Sequence, residues 1–130
     1  MQTRNQTFAV KVYKKVEKHL SKSKEERTKY GAMAQKLPVL IRTAGLAQAI
    51  SFLEAKSKKV SEEMNKQLFE DLSETVSEMM SFDKSKFSTQ CRESAMSEYL
   101  LLTQNTLAAL LWFKRFSVSV LEVEENANRK

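Results

Sequence analysis

The sequence predicts an all-α fold, a compact single-domain bundle of about five to six helices, and three observations carry that reading. Only two glycines and one proline stand among 130 residues, and no Asn-Gly or Asp-Gly pair offers a hairpin turn. Long breaker-free stretches are rich in Lys, Glu, Leu, Ala, Met and Gln, which lose little on entering a helix. Within them apolar residues recur every three to four positions, the repeat of one helix face. A chain of this length buries roughly two-thirds of its unfolded surface, so one core suffices without a disulfide or metal staple. The helical domain is expected over residues 1–121, with 122–130 a frayed tail.

The first helix is expected from about residue 4 to Leu20, with Ala9, Val12, Tyr13, Val16 and Leu20 on one side. Ser23-Lys-Glu-Glu26 has capping-box spacing, so a second helix starts there and carries Tyr30, Met33, Ala34 and Leu37. Pro38 ends that helix or opens the next at its first position, where a missing N–H costs little. Gly45 reads either as a left-handed cap after a short Pro38–Thr43 turn or as a close-packing glycine in a continuous helix. The helix that follows buries Leu46, Ala49, Ile50 and Leu53.

Ser61 is the expected N-cap of the next helix, whose stripe is Met64, Leu68, Leu72 and Val76. Residues Ser81 to Gln90 read as a loop. A long last helix is expected from about Ser94 to Leu121. Tyr99, Leu102, Thr106, Leu110 and Phe113 line one face of it, Leu101, Ala108, Trp112 and Phe116 nearly the opposite one. Leu100, Leu107, Leu111 and Val118 fill the strip between, so this helix must be surrounded, by its own domain or by a neighbouring copy.

The net charge of +6 conceals an asymmetry. Residues 1–60 hold 14 Lys/Arg against 4 Glu, a balance of +10, and residues 61–130 hold 8 against 12 Asp/Glu, a balance of −4. Such halves suggest a polyanion for one side and a basic partner for the other. Lys11, Lys14, Lys15, Lys18 and Lys22 fall within about 100° of arc on the first helix, with Glu17 the only acid among them. A solubility face mixes signs, and an unmixed stripe is better explained by a phosphate backbone. Arg42, Lys114 and Arg115 join this candidate surface, although Lys114-Arg115 reads equally as a pair that snorkels out of an apolar helix. Glu70, Glu74 and Glu78, with Asp71 beside them, are read as a solvated face in preference to a magnesium site. That face, together with Trp112 and Phe116, is the candidate protein-interaction surface.

Catalytic chemistry is not evident. His19 has no Cys or carboxylate at ligand spacing, and there is no Gly-rich phosphate loop or nucleophile motif, so neither metal nor cofactor is expected. One cysteine, Cys91, fits a reducing compartment. The longest apolar run, Leu107 to Phe113, is too short to span a bilayer, and a cytoplasmic location is expected.

Two distant segments carry a resemblance. Tyr30-Gly31, Leu37-Pro38, Ile41-Arg42, Gly45-Leu46, Gln48-Ala49 and Phe52-Leu53, followed by Glu98-Tyr99, Leu102-Thr103 and Trp112-Phe113-Lys114-Arg115-Phe116, make the chain similar to the small α-helical subunit of the type III-B CRISPR effector, the Cmr complex. Ala44 departs from the asparagine expected before Gly-Leu. The resemblance implies a non-catalytic protein that assembles in several copies along a guide RNA–target RNA duplex, beside other Cmr subunits that hold the nuclease activity. Its RNA-facing residues would be Lys11, Lys14, Lys15, Lys18, Lys22, Arg42, Lys114 and Arg115. The alternatives are a helical protein-interaction scaffold or a type III-A small subunit, with no direct nucleic-acid role. A small basic DNA-binding protein lacks support from any helix-turn-helix spacing.

Overall fold

The first two α-helices start on side-chain capping boxes. In the computed structural model, which describes residues 1–125, α1 (Arg4–Glu17) opens on a capping box between Thr3 and Gln6, and α2 (Lys24–Ala44) on one between Ser23 and Glu26. The Ser23 amide and hydroxyl hold the Glu26 carboxyl below its usual range. α1 buries Phe8, Val12 and Val16, then tightens into a 3-10 turn, Lys18–Ser21. Each residue in such a turn rotates about 120° rather than 100°. That swings His19 into the core and leaves Leu20, expected on the buried side, exposed.

Pro38 neither ends nor opens a helix, because α2 runs through it. An interior proline costs about 3 kcal/mol, which the packing of Leu37 and Ile41 on either side offsets. The break comes at Gly45, whose φ of +92° only glycine adopts without strain. Gly45 donates its N–H to Ile41 O and accepts from Ala49 N–H, so it closes α2 and opens α3 (Leu46–Ser57). Lacking a side chain, it leaves the cap to Tyr99, whose hydroxyl accepts the Ala47 N–H at 3.1 Å.

A 3-10 turn, Val60–Glu62, leads into α4 (Glu63–Met80). Ser61 lies inside that turn and does not cap the helix. Met64, Leu68, Leu72 and Val76 are buried as their spacing predicts. Ser81, in the left-handed region, terminates α4 as Phe82 N–H returns to Ser77 O. The expected loop instead holds a 3-10 turn, Lys84–Lys86, and α5 (Phe87–Glu93). Phe87 and Cys91, one turn apart, drive this short helix by burying together. Burial pushes the Cys91 thiol up to about 12.

The long last helix is α6 (Met96–Ser119). Its inner face (Leu102, Thr106, Ala109, Leu110, Phe113) is buried, but Leu100, Leu101 and Leu111 remain 54%, 47% and 40% exposed. The chain therefore surrounds only part of it. Residues 121–124 are hydrogen-bonded back to the bundle. Val123 N–H donates to Ser117 O, Arg27 to Leu121 O, and Gln35 to Glu124 O. Gly31 makes room for this strap, since a Cβ there would lie 2.7 Å from Val123 Cγ1. The rest of the expected tail, 126–130, lies outside the described residues.

Helices α2, α4 and α6 pack on one another as a central layer. α1 covers α4 and α6 on one side, while α3 lies on α2 and α4 with α5 against it.

Candidate nucleic-acid interface

The five lysines of the expected stripe do not share one environment: Lys11, Lys14 and Lys15 lie on α1, Lys18 in the 3-10 turn and Lys22 beyond it. Lys11 Nζ lies 3.3 Å from Glu78, Lys15 Nζ 3.0 Å from Glu74, and Lys18 Nζ 3.7 Å from Asp71. Residue numbers rise along α1 as they fall along α4, so the two helices run antiparallel with matched charge repeats. Lys15 is buried to 9% exposure. Its ammonium group, bonded to Glu74, holds that carboxyl below its usual range, and Lys84 at 3.5 Å adds to the effect. Most of the acidic face expected to meet another molecule thus meets α1 of its own chain. Glu70 alone stays outside, exposed on α4 near Phe69, Ser73 and Lys84.

Below the seam is a polar cluster that sequence reasoning missed. Asp71 Oδ2 accepts from Tyr30 Oη at 2.7 Å and contacts His19 Nε2 at 2.9 Å, and all three residues are buried. The His19 and Tyr30 rings lie 4.6 Å apart. Burial first, and the Asp71 charge second, push the Tyr30 phenol well above its ordinary range. Its members gave little signal in sequence, since Tyr30 reads as part of an apolar stripe and Asp71 as part of the solvated acidic face. Among the described residues no three His, Cys, Asp or Glu side chains form a metal cluster, and no helix is long and apolar enough to cross a membrane.

Lys14 and Lys22 make no ion pair among the described residues, and nor do Arg42, Lys114 and Arg115. Lys14 is exposed on the crest of α1, Lys22 half-buried after the 3-10 turn, and Arg42 exposed in the last turn of α2. On the other flank of α1 an aromatic ladder joins it to α6. Tyr13 meets Phe116 edge-on at 5.4 Å, Phe116 stacks on Trp112 at 5.4 Å, and the Arg115 guanidinium lies 5.4 Å from the Trp112 ring. Trp112 Nε1 donates to Asn5 Oδ1 at 3.0 Å. Asn5 pairing with Trp112 and Tyr13 with Phe116 makes these helices run in the same sense. The helical spacing of these rings predicts core packing. Tyr13 is instead exposed, with Trp112 and Phe116 half-buried, because α6 is covered on fewer sides than its composition suggests. The ladder brings Tyr13, Trp112, Phe116 and Arg115 into one surface, with Lys114 beside Arg115 and Lys14 beside Tyr13 in the chain. Cations beside partly open rings are the chemistry of a nucleic-acid or protein interface.

Comparisons with known proteins match this architecture. The family model described as CRISPR-associated protein (Cas_Cmr5) covers residues 4–120. A relative from Thermus thermophilus, the CRISPR system Cmr subunit Cmr5, is 39% identical over 122 residues, 94% of this chain and 99% of the relative. The crystal structure of a CRISPR-associated Cmr5 family protein, also from Thermus thermophilus, superposes with a TM-score of 0.74 at 40% identity, over 95% of this chain and 100% of that one.

Proposed function

The chain belongs to the Cmr5 family of CRISPR-associated proteins, and from that premise we propose that it is the non-catalytic small subunit of a type III-B Cmr complex, holding a guide RNA–target RNA duplex from one side. Guide pairing reads the sequence, while this protein supplies charge and shape without base readout. Cleavage belongs to other subunits. The observation that carries the RNA part is the Arg115 guanidinium over the Tyr13–Phe116–Trp112 ladder, with Lys14 on α1 and Lys114 on α6 exposed and without an ion pair among the described residues. Lys11, Lys15 and Lys18 contribute less, because acids of α4 already compensate them.

Several copies assemble along the duplex through the exposed apolar residues of α6 (Leu100, Leu101 and Leu111), in heterologous contacts that do not close. Glu74 and Glu78 are poor anchors for that contact, being engaged within the chain. Copurification with the other Cmr subunits and guide RNA tests both parts. Lys14→Gln/Lys114→Gln/Arg115→Gln is expected to weaken target-RNA retention and to flatten its salt dependence by about 0.7–0.9 per lost contact. An unchanged slope removes this surface from the RNA path. Native mass spectrometry reads copy number, which Leu100→Glu/Leu111→Glu is expected to lower. A complex with full copy number in that variant moves the assembly contact elsewhere.

A further inference from the structure

A second positive surface lies on the α2–α3 hairpin. The bend at Gly45 folds α2 and α3 into a hairpin, and there Lys36 and Lys56 hold their ammonium groups 4.8 and 5.6 Å from the centroid of one ring, that of half-buried Phe52. Lys29, two turns before Lys36, continues the row along α2. None of these three lysines makes an ion pair among the described residues. Of the acids on these helices, Glu25 and Glu26 sit a turn beyond Lys29 at the far end, where the Lys29 charge helps to hold the Glu26 carboxyl down. Glu54 acts on Cys91 of α5, which places it on the opposite flank of α3.

Two ammonium groups gathered at one ring repel each other, and the ring quadrupole only partly offsets that. A ligand satisfies the site if it brings negative charge for the lysines and a flat apolar surface for the ring. A nucleic-acid strand brings both, since phosphates draw the ammonium groups off Phe52 and a base takes the vacated ring face. An acidic peptide would meet the lysines and leave the ring unused.

We propose that the α2–α3 flank is a second RNA site, which takes a single-stranded phosphodiester backbone on Lys29, Lys36 and Lys56 with a base against Phe52. It rests on the RNA-holding reading above and extends it from one face to two. α1 packs on α4 and α6, whereas α3 packs on α2, α4 and α5, so the two basic surfaces are built on different helices. A copy built this way holds RNA at two separate places.

The test titrates the full chain with an end-labelled oligouridylate, reading fluorescence anisotropy across salt concentrations. Lysine acylation mapped by mass spectrometry, with and without the RNA, gives a second readout on the unaltered protein. The RNA is expected to protect Lys36 and Lys56 as well as Lys14 and Lys114. Lys36→Gln/Lys56→Gln is expected to lower the salt slope by about 0.7 for each lysine. Phe52→Leu, which keeps the apolar packing, is expected to weaken binding about fivefold or more with the slope unchanged.

If Lys36 and Lys56 stay unprotected and their double variant binds as before, while Lys14→Gln/Lys114→Gln/Arg115→Gln abolishes binding, the second site is overturned and the α1–α6 surface stands. The reverse pattern keeps the second site and removes the first. Failure of the unaltered chain to bind the oligouridylate at low salt overturns the second site, leaving the first to its own test in the assembled complex. Displacement of the RNA from Lys36 and Lys56 by polyglutamate at equal charge, with Phe52→Leu behaving as wild type, assigns the flank to an acidic protein instead.

Discussion

The two flanks of α1 differ in what they meet, and the lysines between them divide accordingly. Toward α4, Lys11, Lys15 and Lys18 meet Glu78, Glu74 and Asp71, and the seam closes inward over the buried Asp71–Tyr30–His19 cluster. Toward α6, Tyr13 opens onto an aromatic ladder that Arg115 extends at the surface, and Lys14 stands unpaired on the crest between. A lysine's position around the helix, through the helix it then faces, decides whether its charge is spent on folding or stays available to a polyanion. One flank is closed within the chain, and the other leaves partly open rings at the surface.

The largest expected effect falls on the closed flank. Asp71→Ala would leave the Tyr30 hydroxyl and the His19 imidazole buried without their shared acceptor. Removing one member of a buried polar cluster costs about 3 kcal/mol or more. Tyr30→Phe, which removes one donor and leaves Asp71 its other contacts, is expected to cost about 1 kcal/mol. Urea unfolding measures both. If Asp71→Ala loses less than Tyr30→Phe, the cluster does not anchor the seam and the contrast between flanks collapses.

A smaller effect comes from acid. The Glu74 carboxyl is held below its usual value of 4.5 in the folded chain. Its unfolded form therefore binds protons more readily, and the stabilisation is present above pH 4.5 and lost as pH falls through the folded value. Glu74→Gln is expected to remove that part of the acid dependence and to cost about 0.5 kcal/mol near neutral pH, because the pair is partly open to solvent. Identical acid limbs in the parent and the variant would show that the Lys15–Glu74 contact contributes nothing to folding. Raised salt should shrink the difference between them.

Much of the fold was legible because local rules and packing agreed. The capping box at Ser23 and the Met64–Val76 stripe needed only sequence spacing. The misses are places where a distant contact overrode a local signal. Pro38 stays helical between buried Leu37 and Ile41, Phe87 and Cys91 draw a polar stretch into a helix, and Gly31 receives Val123 from the chain terminus. The site was legible as charge and composition, not as pairing. Yet one signal was available: the lysines at 11, 15 and 18 and the acids at 78, 74 and 71 share the same spacing in opposite order, as an antiparallel seam requires.

The smallest effects make the sharpest comparison, because Lys11 and Lys14 are near neighbours on one helix and differ only in the direction they face. Lys11→Gln breaks a half-exposed pair with Glu78, so it is expected to cost about 0.5 kcal/mol in urea unfolding and to leave the RNA salt slope unchanged. Lys14→Gln breaks no ion pair among the described residues, so stability is expected to stay within about 0.5 kcal/mol and the slope to fall by about 0.7. The crossing of the two outcomes matters more than either size. A general loss of positive charge would move both slopes together. Unequal slopes tie RNA contact to the open side of α1, and equal slopes would mean that the ion pairs with α4 yield to RNA and that the closed flank opens on binding.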